Sequence, residues 1–215
     1  MSRFLAILAL VSSPALFAAP VHVYGTGVGP GGALAAGAVD PYFTVTPSWT
    51  TTSQATYVAT KGAVSQNGWH PDTKQAQWIS PGQDATADYG PYTNTFDYTT
   101  TFNLVNPGDF IIKGSVAADD MVSILLNGNV VGQDDNAGAW SKMDPFLINS
   151  DFVAGLNTLT FRVTNLDGAT GLDVAIDPTI TPEPASTALM GIGLLGFVGL
   201  ARFYSRNRQG KTATV

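Results

Sequence analysis

The sequence predicts an all-β fold, specifically an antiparallel β-sandwich, and three observations predict it. Between residues 21 and 180 all fifteen acidic residues are Asp and none is Glu, and Asp favours turns whereas Glu favours helices. Hydrophobic and polar residues alternate over several stretches, which is the period of a strand with one buried face. Turn sequences separate these stretches at short intervals, as they do in β-sandwiches.

Taken in chain order, the elements begin with a Gly/Ala-rich lead-in over residues 20–39, which we expect to be flexible, followed by an edge strand at 42–46. Asn106-Pro107-Gly108-Asp109 predicts a turn, and Asn127-Gly128 predicts a type I′ hairpin. Outside the two ends, no window of ten or more residues has the period of a helix. The remaining strands are predicted at 96–104, 110–116, 122–126, 129–131, 159–163 and 172–176.

Composition excludes several functional classes. The chain of 215 residues has no Cys, which excludes disulfide scaffolds, thiolate zinc sites and cysteine nucleophiles. Residues 21–180 hold five Lys or Arg against fifteen Asp, so the basic face of a nucleic-acid-binding protein is missing and we expect no nucleic-acid partner. With 45% hydrophobic and only 12% charged residues, the chain is able to bury a core.

The N-terminal residues 1–19 have the layout of a secretory signal peptide. Arg3 precedes an uncharged apolar stretch at 4–11, and small residues follow up to Ala19. The apolar stretch is too short to span a bilayer, which takes about 20 residues. We therefore expect export, with cleavage after Ala18 or nearby.

The C-terminal region predicts a single transmembrane helix. Residues 185–201 are seventeen uncharged positions, and basic residues follow them at Arg202, Arg206, Arg208 and Lys211. This length reaches the lower limit for a membrane span. Because basic flanks stay cytoplasmic, the domain before the span is placed outside, in agreement with the N-terminal signal.

Pro182-Glu183-Pro184, the apolar run and the basic tail occur in this order at the chain's end. Residues 181–215 resemble a PEP-CTERM sorting signal. The resemblance implies processing by exosortase, a membrane protease, in a Gram-negative bacterium that makes exopolysaccharide. It also implies passage through the inner membrane and then location at the cell surface or in the extracellular matrix.

A second resemblance covers most of residues 40–176. The segments Ala117–Asp120, Leu126–Gly128 and Phe152–Val163, together with Trp78-Ile79-Ser80-Pro81, are similar to galactose-binding-like jelly rolls. This resemblance implies that the β-sandwich domain over 40–180 is an antiparallel jelly-roll-like β-sandwich. Such domains often bind carbohydrate, but many only pack against other modules, so no site residue is carried over.

Histidines, acidic residues and tryptophans are the candidate site residues of this sequence. The chain has two histidines, His22 and His70, and neither accompanies a recognisable nucleophile, while no spacing singles out a carboxylate pair. Calcium is the metal that the Asp clusters would hold, with turn capping as the alternative role. The clusters are Asp119, Asp120, Asp134 and Asp135. Sugar stacking is predicted for exposed tryptophans in turns, Trp69 and Trp140.

These observations predict an exported surface or extracellular-matrix protein with a structural or adhesive β-sandwich, no catalysis and no required cofactor. The alternative is a carbohydrate-binding module acting on exopolysaccharide. A secreted hydrolase is the third alternative.

Overall fold

The computed structural model describes residues 21–89, 93–108, 110–134 and 138–177. Within these ranges the chain forms twelve strands, one short helix α1 (Lys61–Gln66) and one 3-10 turn (Ala139–Ser141). The strands in chain order are β1 (Val28–Gly29), β2 (Gly32–Ala33), β3 (Val39–Pro47), β4 (Gln54–Val58), β5 (Ile79–Ser80), β6 (Asn94–Leu104), β7 (Ile112–Asp119), β8 (Met121–Leu126), β9 (Asn129–Asp134), β10 (Asp144–Ile148), β11 (Gly155–Asn165) and β12 (Gly171–Ile176).

Ten of the strands form one hydrogen-bonded order, β10-β7-β12-β5-β4-β3-β6-β11-β8-β9, in which every pairing is antiparallel. β1 and β2 form a separate small hairpin. The long sheet folds over on itself, so that its two terminal strands β9 and β10 lie side by side although they are last and first in the order. The predicted all-β class and antiparallel sandwich are confirmed.

The hydrophobic core lies between the two halves of the folded sheet. β6 and β11 pair in register from Asn94↔Asn165 to Leu104↔Gly155, and alternate side chains of both strands point inward, among them Phe96, Tyr98 and Phe161. Their outward positions carry polar residues such as the Arg162–Asp97 pair. The period-two pattern predicted for these strands is therefore confirmed.

The β8–β9 hairpin turns at Asn127 and Gly128, with φ values of 52° and 86°. Positive φ at both central positions is the requirement of a type I′ turn, and Asn-Gly meets it with little strain. The predicted hairpin is confirmed.

The predictions for the N-terminal third were less accurate. β3 is an interior strand between β4 and β6, not an edge strand. Thr26, in the lead-in that we expected to be flexible, is fully buried, and its N–H donates to the Val174 carbonyl at 2.9 Å. A Cβ on Gly25 would lie 2.4 Å from that same carbonyl oxygen, so only glycine allows this approach. The expectation of flexibility is wrong at these positions.

Helix α1 was missed because six residues are too few to display a helical period. Thr60 caps it by accepting a hydrogen bond from the Ala63 N–H at 3.2 Å. The helix buries Ala63 and Val64 against a second apolar cluster that contains Trp69 and Trp78.

Candidate functional site

The two terminal strands of the sheet, β9 and β10, border a cleft of about 520 Å³. Its floor is formed by apolar side chains that belong to the core, and its rim is polar. The floor includes Val116, Ile124 and Ile148, and the rim includes Gln133, Asp134, Lys142 and Asp144. The lining as a whole is polar and apolar in about equal parts, and concave sites of this size that combine apolar walls with a few polar groups are where small ligands usually bind.

The polar rim of the cleft is organised around Lys142. Its Nζ lies 2.5 Å from Asp144 Oδ1, and both side chains are open to solvent. Hydrogen bonding to Lys142 lowers the pKa of Asp144, and the same bond raises the pKa of Lys142, with the nearby Asp134 contributing. The rim therefore offers charged donors and acceptors to a polar ligand such as a sugar hydroxyl.

Trp69 is not the exposed aromatic that we predicted, because it is only 4% exposed. Its indole stacks on Trp78 with ring centroids 4.3 Å apart, and its Nε1–H donates to Asp119 Oδ2 at 2.8 Å. Burial raises the pKa of Asp119 to about 7; the Trp69 hydrogen bond acts in the opposite direction, and the neighbouring Asp120 carboxylate adds to the rise. Trp69, which was predicted to contact a sugar, and Asp119, which was predicted to bind calcium, are therefore hydrogen-bonded to each other inside the fold.

The other candidate residues have different surroundings. Trp140 is half-buried and packs against the cluster that contains Trp69 and Trp78. Asp120 is buried and accepts a hydrogen bond from the Leu166 N–H at 2.6 Å.

Asp134 of the second Asp cluster lies near the end of β8 that follows Asp120. It pairs with Val122 in the β8–β9 ladder, and Val122 is two residues after Asp120 in the chain. Asp135 lies outside the described residues. Among the residues that are described, no three His, Asp or Glu side chains converge as metal ligands. Calcium binding at the Asp clusters and its alternative, turn capping, both stay untested.

A second buried polar cluster centres on Asp173 of β12. His70 Nε2 lies 3.2 Å from Asp173 Oδ2. The Thr26 hydroxyl donates to the Gln77 carbonyl at 2.8 Å and lies 3.3 Å from Asp173 Oδ1. Nothing in the local sequence around His70 points to a partner so distant along the chain.

Beyond β12 the chain leaves the described fold at Asp177, four residues before the predicted sorting signal. The sequence profile of the PEP-CTERM protein-sorting motif matches residues 181–202. The chain carries a PEP-CTERM protein-sorting motif. The match covers Pro182-Glu183-Pro184, the uncharged run and Arg202, and it confirms the predicted signal. The motif implies export, processing at the membrane and then surface location.

The PEP-CTERM motif, the basic residues Arg206, Arg208 and Lys211 beyond it, and the predicted signal peptide at 1–19 all lie outside the described residues. The predicted transmembrane helix at 185–201 lies outside them as well. Within the part of the chain that the structure describes, no helix has the length and hydrophobicity needed to cross a membrane.

Several solved structures are similar to the chain. The CBM35 module from Paenibacillus barcinonensis is 18% identical, covering 62% of this chain and 97% of that one with a TM-score of 0.34. TmCBM61, solved with β-1,4-galactotriose, is 15% identical over 64% and 85% of the two chains, with a TM-score of 0.35. A family 35 carbohydrate-binding module from Clostridium thermocellum is 12% identical over 60% and 90%, with a TM-score of 0.31. No curated protein matches the sequence.

Proposed function

We propose that this chain is an exported surface or extracellular-matrix protein whose β-sandwich has a structural or adhesive role and catalyses no reaction. The observation that carries the proposal is the order of the chain, in which the PEP-CTERM motif at 181–202 follows the last strand of the sandwich after only a few residues. An exosortase-type protease of the inner membrane is the partner that removes the tail. The sandwich is then the cargo that reaches the surface of a Gram-negative cell.

The surroundings of His70 support a role without catalysis. In a hydrolytic triad the nucleophile contacts the imidazole, and the carboxylate contacts the other ring nitrogen. Here the Thr26 hydroxyl lies beside Asp173 instead, and its proton is directed to a backbone carbonyl. The His70 and Asp173 side chains are 9% and 0% exposed, so a substrate has no access to them. The cluster is therefore suited to stabilising the fold.

The β9–β10 cleft favours a second candidate function, which is binding of exopolysaccharide. Sugars present apolar C–H faces and hydroxyl groups together, and the cleft combines an apolar floor with the donors and acceptors of Gln133, Lys142 and Asp144. Polysaccharide binding would also supply the adhesive role with a mechanism. The two proposals are compatible but are tested separately.

The sorting proposal is tested by expressing the full chain in a bacterium with an exosortase and analysing the extracellular protein by mass spectrometry. We expect the secreted form to lack the residues from about 185 to 215, and we expect a Glu183→Ala variant to stay uncleaved in the membrane fraction. A matched control is Glu183→Asp, which keeps the charge. Intact chain with both ends present in the cytosol would contradict export.

The polysaccharide proposal is tested by retention on immobilised glycans. We expect Lys142→Ala and Asp144→Asn to reduce retention of a glycan that binds the unaltered protein. Lys74→Ala removes an exposed positive charge that is not part of the cleft lining and is the control. Equal retention of all three variants would place binding elsewhere, and absence of retention on any glycan would leave only the structural role.

A further inference from the structure

One end of the sandwich, called here the exit end, is where the chain leaves the described fold. The Asp177 N–H donates to the Lys113 carbonyl at the beginning of β7. The β6–β7 and β10–β11 connections pack together at this end, because Phe110 of the first lies with its ring centroid 5.1 Å from that of Phe152 of the second. Both rings contact Phe102 near the end of β6.

The exit end carries a patch of exposed aliphatic side chains, called here the exit-end patch. Val105, Leu156 and Val153 are 86%, 60% and 46% exposed. Leu156 stands opposite Asn103 in the β6–β11 ladder, which makes Val105, two residues further on, its diagonal neighbour on the same face. Such clustering of exposed aliphatic residues marks an interaction site more often than a scatter of single residues does.

Hydrogen bonds hold the patch in this exposed position. The buried Asn157 side chain accepts from the Val153 N–H at 2.9 Å and donates to the Val153 carbonyl at 2.8 Å. Asn127 of the β8–β9 turn donates to the Asp151 carbonyl at 2.9 Å. The β10–β11 connection is therefore fixed by internal partners, and Val153 is left about half-exposed at its surface.

The position of the sorting motif determines what this end faces. Seven residues, 178–184, separate Asp177 from the uncharged run at 185–201, and seven residues reach at most about 25 Å. When that run is in a bilayer, the exit end is held near the lipid surface. The opposite end of the eleven-residue strand β6 is about 33 Å further along the strand direction.

We propose that the exit-end patch rests on the lipid bilayer for as long as the C-terminal run is inserted, and so orients the sandwich before its release. The patch of three aliphatic side chains is far smaller than the roughly 800 Å² per partner of a stable protein interface. Tethering compensates for weak affinity, because a short linker raises the effective concentration of the patch at the surface. The polar rim of the β9–β10 cleft lies toward the other end and stays open.

The test uses the full-length chain in phosphatidylcholine vesicles that contain brominated acyl chains. Because the chain has no Cys, single-cysteine variants can be labelled cleanly with an environment-sensitive fluorophore. Leu156→Cys reports on the exit end, and Trp49→Cys is the control, since Trp49 is 56% exposed beside the first residues of β6. We expect blue-shifted emission and quenching by bromine at position 156, and neither at position 49.

A third variant tests whether the patch itself makes the contact. Val105→Ser and Val153→Ser in the Leu156→Cys background should cause loss of most of the quenching, while the chain still floats with the vesicles. Equal emission at positions 156 and 49 would overturn the inference. A shift at 156 that needs added membrane proteins would also overturn it, in favour of a protein partner, as would failure of the full chain to float.

Discussion

His70 Nε2 lies 3.2 Å from Asp173 Oδ2 in the interior of the sandwich. The other ring nitrogen, Nδ1, is 2.9 Å from the Pro71 carbonyl oxygen, and because a carbonyl can only accept, Nδ1 carries a proton. Burial opposes a charge on His70, but the Asp173 carboxylate, the Pro71 carbonyl and Asp72 together outweigh it, and the pKa of the imidazole is raised. Asp173 is also close to Thr26. One carboxylate of β12 therefore contacts both the segment around Thr26 and the segment around His70, neither of which is a strand of the sheet.

We expect Asp173→Ala to reduce the free energy of unfolding by about 3–5 kcal/mol, the usual cost of leaving one member of a buried ion pair without its partner. Urea denaturation followed by tryptophan fluorescence measures it. The control is Asp97→Ala, which removes an exposed pair whose Arg162 Nε lies 2.7 Å from the carboxylate, and it should cost at most about 1 kcal/mol. Equal losses in the two variants would show that the buried pair stabilises no more than the exposed one.

The fold should become less stable as pH rises from 5 to 8. The contribution of protonated His70 to the free energy of unfolding is fully present below the pKa of 6.5 that it has in the unfolded chain. This contribution is lost as pH rises through the raised pKa that His70 has in the folded protein. The stability from Asp119 is lost as pH rises from 3.8 through about 7, because burial raises its pKa. In both cases the folded state binds the proton more tightly than the unfolded state does.

Denaturation midpoints at pH 5 and pH 8 check this prediction. The exposed Asp84 and Asp144 have lowered pKa values, and the stability that they contribute is lost only as pH falls below about 3.8, outside this window. Asp119→Asn and His70→Gln should each flatten the dependence. A denaturation midpoint that is higher at pH 8 than at pH 5 would contradict this prediction, because the raised pKa values of His70 and Asp119 require a decrease.

The sequence was sufficient to predict those parts of the fold that are governed by local chemistry. The alternating pattern of β6 and β11 was predictable because each strand buries only one of its faces. The Asn127-Gly128 turn was predictable because its type depends on only two φ angles, which these two residues adopt with little strain. The sorting motif was also visible, since it is a contiguous pattern of Pro-Glu-Pro, apolar and basic residues. The interior position of β3 was not visible in the sequence, because strand order depends on pairing between segments that are distant along the chain.

The candidate sites were harder to predict for the same reason. The β9–β10 cleft exists because the two terminal strands of the sheet meet, and Lys142 and Asp144 show no unusual pattern in the sequence. Trp69 was predicted to be exposed because it follows a Gly in a polar turn, whereas its stacking on Trp78 and its bond to Asp119 bury it. Only the three-dimensional contacts distinguish a turn residue from a core residue there.

Calcium binding can be tested by adding calcium or a chelator. We expect no change in Tm at pH 7, because Asp119 is already bonded to the Trp69 indole and Asp120 to the Leu166 backbone, and a ligand that binds only the folded state would raise Tm. Magnesium at equal ionic strength is the control for charge screening. A rise in Tm that is specific to calcium and is abolished by Asp134→Asn would contradict this expectation and support a site at the Asp clusters.

Gly171 at the beginning of β12 faces the Trp69 ring, and a Cβ there would lie 2.6 Å from its Cη2 atom. The ring cannot retreat, because Trp78 stacks on it at 4.3 Å. We therefore expect Gly171→Ala to destabilise the fold by about 1–3 kcal/mol, the typical cost of overpacking.

The matched control is Gly62→Ala in helix α1, where the nearest atom to an added Cβ is the Thr60 hydroxyl at 3.8 Å. Alanine is favoured over glycine in a helix by about 1 kcal/mol, so this variant should be as stable as the parent or more stable. Denaturant midpoints of the two variants measure the difference. If Gly171→Ala were as stable as Gly62→Ala, the Trp69–Trp78 stack would have to be loose enough to shift by several tenths of an ångström, and the indole bond to Asp119 would then lengthen with it.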